Sequence, residues 1–563
     1  MISISLTPEK NKLLVRTPYD TRILDRVKTI QGRVWNKYLK AWTFPFTDTM
    51  LADLEAIFKP FGAVTIDKSV NELLNVQAVR HQTTIALKTT SDEKIEIPDD
   101  LSFYTKPLAH QRKALSLCLR NKSFGLFMEM GTGKTKVILD LLGYYREPLE
   151  VNPALVVCPV SVMDNWSAEV AKHQPALKCM VLSGVREERL ALLTSGIQQG
   201  FELFVVNYES AWRLEDELSK VKWGAIILDE STKIKHRSSQ QAKGIMRIAK
   251  PVHRKYIMSG TPMPNSPLEL FNQIKFLDET VFGGNFYVFR DRYAIMGGYQ
   301  GYQIVGWKNL EELSKKLNGV TFRVLNKDCL DLPDKIYKVY KLPMDEKFRK
   351  SYEAFAEDMV AEISGATLMA TVVLAKLTKL RQLTSGFFYD ESGNPVVLDQ
   401  LQKLKQLEEI LDEIIDRHKV VIWTSFRYEM EMITTLLTKK KIGWVKIDGT
   451  VPQDQRQGAI NSFQNDDKTK VFVGQQHSGG MGITLTAGDY CVFFSNDYSP
   501  EIRLQCEDRL HRIGQKNPVT YIDIILKNTI DVSIMRMLRK KQDLSTYIES
   551  INIQEVIHGT ETE

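Results

Sequence analysis

Residues 128–135 read Met-Glu-Met-Gly-Thr-Gly-Lys-Thr, between the apolar run FGLF at 124 and the helix-patterned KTKVILDLLGYY. A strand that ends in a glycine-rich loop and opens directly into a helix narrows the fold sharply. Backbone N–H groups and the positive helix end then point at one place, and the strand belongs in a sheet covered by helices. Gly131 and Gly133 let the backbone approach an anion, with Met130 and Thr132 completing the loop. Lys134 would reach β and γ phosphates and the Thr135 hydroxyl would take Mg²⁺. In the strict spacing G-x-x-x-x-G-K-[ST] the first glycine is replaced here by Met128. Alone, the loop could equally be a structural turn.

The surrounding rhythm argues against a mere turn. Short β-rich runs alternate with helical patterns from about 100 to 260: FGLF at 124, ALVVC at 154, LFVVN at 203, AIIL at 225 and YIMS at 256. Strands separated by helices predict a parallel sheet covered on both faces. The run WGAIILDE ends in two acids, Asp229 and Glu230. A carboxylate there can hold Mg²⁺ through water, and its neighbour can orient and deprotonate an attacking water. A helical segment is expected over about 266–418, where Phe348, Tyr352, Phe355, Met359 and Ile363 form one stripe and Leu401, Leu404, Leu407, Leu411 and Ile414 another. The α/β rhythm then returns with VVIW at 420, WVKI at 444, KVFV at 470, YCVFF at 490 and TYIDII at 520. Arg509 and Arg512, in QCEDRLHRIGQ, are three apart and predicted to share one face of a helical turn. Guanidinium groups can stabilise charge on a transferring phosphoryl group; a solvated pair is the plainer alternative.

Composition bounds the rest. Hydrophobic residues at 43% and charged residues at 26% fit a globular chain of several domains. The six cysteines include no C-x-x-C pair, which argues against structural zinc or a disulfide framework. The opening MISISLTPEK lacks the apolar stretch of a secretory signal, and runs such as Ala154 to Cys158 are too short to span a membrane. A soluble intracellular protein is expected. Net charge is mild, 75 − 69 = +6, but its distribution is uneven. Between Arg22 and Trp42 stand six cations, including Arg33 and Lys37, against the single anion Asp25, with Trp35, Tyr38 and Trp42 interleaved. Such a segment can bind nucleic acid through phosphates and base stacking, or can be the solvated face of a small domain.

These elements, in this order, resemble the Swi/Snf-type branch of superfamily 2 helicases over about residues 100–550. The likeness rests on Gln111 in PLAHQRKAL, MEMGTGKT, LVVCPVSVMDNW, VVNYES, LDES, SGTPMPNSPLEL, WTSF, SGGMGITLTAG and QCEDRLHRIGQ. It implies an α/β fold of two RecA-like lobes, with helical insertions between them and a small N-terminal accessory domain. The expected boundaries are 1–95, 96–330 and 331–563, the last closing with a brace helix at 525–544. The implied activity is DNA-dependent ATP hydrolysis with ATP and Mg²⁺. Lys134, Glu230, Arg509 and Arg512 would be catalytic, and Gln111, residues 130–135, Asp229 and Gly482 would hold the nucleotide. Pro159, Asn165, Trp166, Asn207, Tyr208, Thr261, Thr484 and Thr486 would contact DNA. Ser231-Thr232 departs from the family's usual Ala or Gly followed by His. The N-terminal segment resembles the HepA-related protein domain of annealing helicases through Gly32, Arg33, Trp35, Trp42, Phe44 and Pro45. The expectation is a monomeric motor on duplex or branched DNA, remodelling forks or annealing strands, in the cytoplasm of a bacterial or phage-infected cell. A strand-separating or branch-migrating helicase is one alternative, and an ATP-gated DNA-binding scaffold another.

Overall fold

The computed structural model describes residues 2–9, 11–91, 94–98, 101–146, 153–263, 266–298, 303–329, 332–365, 370–390, 392–398, 401–479 and 483–540. The chain forms two compact units, Met1–Cys329 and Leu330–Glu563. The first opens with strands β1 (Ile2–Leu6), β2 (Lys12–Arg16), β3 (Val34–Asn36), β4 (Ala41–Pro45) and β5 (Val64–Ile66). They pair in the order β3-β4-β2-β1-β5, antiparallel except for β1 with β5. Alternation along the strands sends Ile2, Ile4, Leu13, Val15 and Phe44 inward, against helix residues Ile23, Val27, Leu54 and Phe58.

The rest of the first unit is built on a seven-stranded sheet with the order β14-β6-β11-β10-β7-β9-β8. Its strands are β6 (Ser123–Met128), β7 (Ala154–Cys158), β8 (Cys179–Val181), β9 (Leu203–Asn207), β10 (Ala225–Asp229), β11 (Arg254–Met258) and, after the hairpin β12 (Ala294–Gly297) and β13 (Gln303–Trp307), β14 (Thr321–Val324). All neighbours are parallel. Successive residues feed two separate cores. Leu155, Val157, Phe204, Val206, Ile226 and Leu228 pack in one, and Val156, Cys158, Leu203, Val205, Ala225 and Ile227 in the other. A sheet covered on both faces buries every strand side chain, which is why these strands read as unbroken apolar runs.

The second unit repeats the plan with a six-stranded, all-parallel sheet in the order β15-β22-β21-β18-β20-β19. The strands are β15 (Lys335–Leu342), then, after the hairpin β16 (Phe387–Tyr389) and β17 (Pro395–Val397), β18 (Val420–Thr424), β19 (Gly443–Ile447), β20 (Thr469–Gln475), β21 (Tyr490–Phe493) and β22 (Val519–Leu526). Val420 and Ile422 enter one core, Val421 and Trp423 the other. Each unit is thus a helix-covered parallel sheet of the RecA-like kind.

The segment 266–418 is less uniformly helical than its stripes imply. Phe348, Tyr352, Leu407 and Leu411 do lie in helix cores, but β14 and β15 return from this region to complete the two sheets. The helix Ile530–Lys540 falls within the expected brace; residues 541–544 lie outside the described ones. Among the described residues no helix is long and apolar enough to cross a membrane, and all six cysteines are free thiols.

Candidate active site

β6, β11 and β10 are neighbours and parallel, so their C-terminal ends emerge at one edge. The phosphate loop follows β6, Ser259–Thr261 follows β11, and Asp229-Glu230 ends β10. Gly131 (φ 81°) and Gly133 (φ 86°) hold the left-handed backbone conformation that turns the loop into the helix Lys134–Tyr144. Thr132 is fully buried; its hydroxyl donates to the Glu129 carbonyl at 2.7 Å. Its own carbonyl accepts from Gln111 Nε2 at 3.0 Å and from His110 Nε2 at 2.9 Å. A carbonyl only accepts, so that imidazole nitrogen carries the proton. Gln111 Oε1 meanwhile accepts from Leu108 N at 3.0 Å. Both ends of the Gln111 amide, and the Thr132 side chain, therefore brace the loop from behind. His110, which no spacing singled out, does the same. Lys134 Nζ donates to the Met128 and Glu129 carbonyls at 2.9 and 3.3 Å, oxygen acceptors of the kind a phosphate also offers.

Asp229 is buried at the end of β10, and its Oδ2 accepts from Trp166 Nε1 at 3.1 Å. Burial first, and the neighbouring Glu230 second, push its carboxyl up to about 6, while Lys134 and Trp166 pull it back. A bound cation would favour the ionised form. Among the described residues no three His, Cys, Asp or Glu side chains gather around a metal position. Thr135 and Asp229 are a sparse, hard oxygen set, which suits a Mg²⁺ ion that keeps most of its waters. Glu230 sits at φ 53°, a left-handed conformation that a non-glycine residue holds only when its surroundings enforce it. Ser259 Oγ donates to Glu230 Oε2 at 3.4 Å and accepts from Thr261 N at 3.2 Å. A methyl group on Gly260 would lie 3.3 Å from Met130 N, so the β11 loop abuts the phosphate loop.

Three residues assigned to DNA lie elsewhere. Trp166 is fully buried under Asp229, Tyr208 donates its hydroxyl to the Asp229 carbonyl at 2.8 Å, and Asn207 is buried at the end of β9. Their segment matches, but adjacent positions on a helix face differently, and only Pro159 and Asn165 are exposed. The departure at Ser231 also has a structural role. Its hydroxyl donates to Gln273 Oε1 at 2.7 Å, and Gln273 Nε2 donates to the Pro262 carbonyl at 2.6 Å. This buried relay ties the acid pair to the β11 loop. Gln273→Leu leaves a hydroxyl and a carbonyl without their partner, and is expected to lower unfolding free energy by about 1–3 kcal/mol in urea denaturation.

In the second unit the helix Pro500–Glu507 stops before Arg509, so the two arginines lie in the following turns rather than on a helix face. They converge nonetheless: Arg509 and Arg512 each donate to the Ile483 carbonyl, at 3.4 and 3.3 Å. Leu485 N donates to the Arg509 carbonyl at 2.9 Å, and Thr486 Oγ1 accepts from Gln464 Nε2 at 3.3 Å. The loop carrying Thr484 and Thr486 is thereby sewn to the arginine segment; Gly482 lies outside the described residues.

On the N-terminal sheet Phe44 is core, whereas Arg33 and Lys37 are exposed, beside Trp35, which is half exposed and packs edge-on against Trp42 at 5.1 Å. The sheet is docked on the rest of the first unit. Asn11 Nδ2 donates to Glu279 at 3.1 Å, Gln77 Nε2 to Thr280 at 2.9 Å and Lys316 Nζ to Asp48 at 2.8 Å. A methyl at Gly32 would stand 2.8 Å from Val288 Cγ2, and one at Gly283 2.7 Å from Pro45 Cβ. Gly32 and Pro45, two of the HepA-like residues, are docking residues.

The SNF2-related domain family matches residues 110–386, and the helicase conserved C-terminal domain family matches residues 402–514. The chain is 28% identical over 553 residues to the SWI/SNF-related matrix-associated actin-dependent regulator of chromatin subfamily A-like protein 1 homolog of Caenorhabditis elegans, covering 94% of this chain and 73% of that protein. It is 28% identical over 450 residues to the transcription regulatory protein SNF2 of Saccharomyces cerevisiae, covering 74% of this chain and only 26% of that protein. The Sulfolobus solfataricus SWI2/SNF2 ATPase core in complex with dsDNA aligns with 82% of this chain and 98% of its own, at 24% identity and a TM-score of 0.40.

Proposed function

Since the chain belongs to the Swi/Snf-type family of DNA-dependent ATPases within helicase superfamily 2, we propose that it is a translocase, stepping along one strand of duplex or branched DNA as it hydrolyses ATP. The observation that carries this reading is the meeting of the phosphate loop, the acid pair and the Ser259–Thr261 segment at the ends of three adjacent parallel strands. Lys134 and the loop amides would hold the β and γ phosphates, with Gln111 and Gly482 also on the nucleotide. Thr135 and Asp229 would hold Mg²⁺, which when bound offsets phosphate charge. Glu230 would orient the attacking water and take its proton, and Arg509 and Arg512 would stabilise the charge of the transferring phosphoryl group. Pro159, Asn165, Thr261, Thr484 and Thr486 would meet the DNA backbone, and residues 1–95 would add an accessory DNA-binding domain. Phosphate contacts carry no base information, so binding should be sequence-tolerant and salt-sensitive.

The test is the ATPase rate against single-stranded, duplex, forked and four-way-junction DNA, linear duplexes of increasing length, and RNA. A translocase gains rate with duplex length, whereas an ATP-gated scaffold does not. Robust separation of a plain tailed duplex would favour the strand-separating alternative. Stimulation by RNA alone would displace the DNA reading, and preference for forks or junctions would support remodelling or annealing. For the N-terminal sheet, Arg33→Glu with Lys37→Glu is expected to weaken DNA binding and lower the salt slope by about 2, roughly one per lost phosphate contact, leaving the DNA-free ATPase rate unchanged.

A further inference from the structure

The polypeptide leaves the first unit directly beside the phosphate loop. β14 pairs with β6, placing Val324 opposite Met128. Glu129 N then donates to the Val324 carbonyl at 2.9 Å, Asn326 N donates to Glu129 Oε2 at 2.7 Å, and Asn326 Nδ2 donates to the Met130 carbonyl at 3.1 Å. The residue that grips Asn326 with its carboxylate also offers its carbonyl to Lys134. In the second unit the chain is fastened again as it enters. His511 Nε2 donates to the Pro333 carbonyl at 2.7 Å, and Val519 N to the Asp334 carbonyl at 3.1 Å. His511 lies between Arg509 and Arg512 in sequence. Each end of the connector is therefore pinned to one of the two groups of residues assigned to phosphate chemistry. Seven residues separate Asn326 from Pro333, which caps their reach at about 25 Å.

We propose that Glu129, Asn326 and His511 are positioning residues that make this connector a short tether between the phosphate loop and the arginine segment. The inference rests on the translocase reading above. A phosphate that draws on the Lys134 ammonium changes the charge around Glu129, and Asn326 is held by the carboxylate of that same residue. The displacement is passed along the chain to Pro333, and through His511 to the turns that carry Arg509 and Arg512. No contact with substrate is required of the three residues, so their effect falls on turnover rather than on ATP affinity.

The experiment is steady-state ATPase kinetics with and without saturating linear duplex DNA on the full chain. Glu129→Ala, Asn326→Ala and His511→Ala are each expected to lower the DNA-stimulated kcat about 10-fold or more, with KM for ATP within about 3-fold and the DNA-free rate within about 2-fold. Glu129→Gln keeps an acceptor and His511→Gln a donor, and both should recover most of the stimulation. Two anchors acting through one tether are not independent. The double variant Glu129→Ala with His511→Ala should therefore fall no further than the weaker single variant. Multiplying effects, a raised KM at unchanged kcat, or single variants with normal stimulation would each overturn the tether while leaving the translocase intact. Thermal melting identifies any alanine variant unfolded at the assay temperature, and judgement then passes to Asn326→Ala and the two glutamine variants. A wild-type chain that DNA does not stimulate would remove the translocase reading, and this inference with it.

Discussion

Lys134→Ala is expected to abolish measurable ATP turnover, a loss of ~10³-fold or more, because the preorganised cation facing the phosphates is gone. The ammonium donates to the Met128 and Glu129 carbonyls, so the same substitution also strips the loop of an internal brace. That second effect is modest, about 1–2 kcal/mol of stability, since each bond exchanges against water. The two effects separate experimentally: a small downward shift in melting temperature, with near-complete loss of hydrolysis at saturating ATP and DNA. Lys134→Arg should not rescue, because a planar guanidinium is not a substitute for a compact ammonium among closely spaced carbonyls. Substantial turnover in either variant would exclude the loop as the phosphate site.

Arg512→Ala is expected to bind ATP as the wild type does and yet to hydrolyse it about 10³–10⁵-fold more slowly at saturating DNA. Two guanidinium groups drawn to the single carbonyl of Ile483 repel each other, and an anion between them relieves that repulsion as its charge grows. The gain is therefore concentrated where phosphoryl charge develops and contributes little to ground-state affinity. ATP affinity from equilibrium binding, set against single-turnover hydrolysis, checks this split, with Arg509→Ala as the companion. Normal hydrolysis by Arg512→Ala would show that the second unit takes no part in the chemistry.

What the sequence revealed and what it hid divide along physical lines. Strands buried on both faces, such as Ala154–Cys158 and Val519–Leu526, are legible because nothing polar interrupts them. The three sheet strands that escaped, Cys179–Val181, Thr321–Val324 and Lys335–Leu342, are all sheet edges. Edge strands are short or alternate with charge, as KIYKVYKL does, because one side meets solvent. The phosphate loop and acid pair were legible because their spacing is local. Motif likeness locates a segment without orienting its side chains, so Trp166 and Tyr208 were placed on DNA while the structure turns them under Asp229. Gln273, Asn326 and His511 act through contacts across 42, 197 and 178 positions. No local pattern encodes such pairings.

The missing side chains at Gly32 and Gly283 also determine how the small N-terminal sheet behaves under load. With Pro45 and Val288 pressed against bare backbone, the sheet has no room to swivel and rides as a bolted plate. Force applied to its exposed tryptophan and cations is delivered undamped to the body that ends in the nucleotide loop. Any larger residue at Gly32 would act as a wedge, turning that plate into a loose flap.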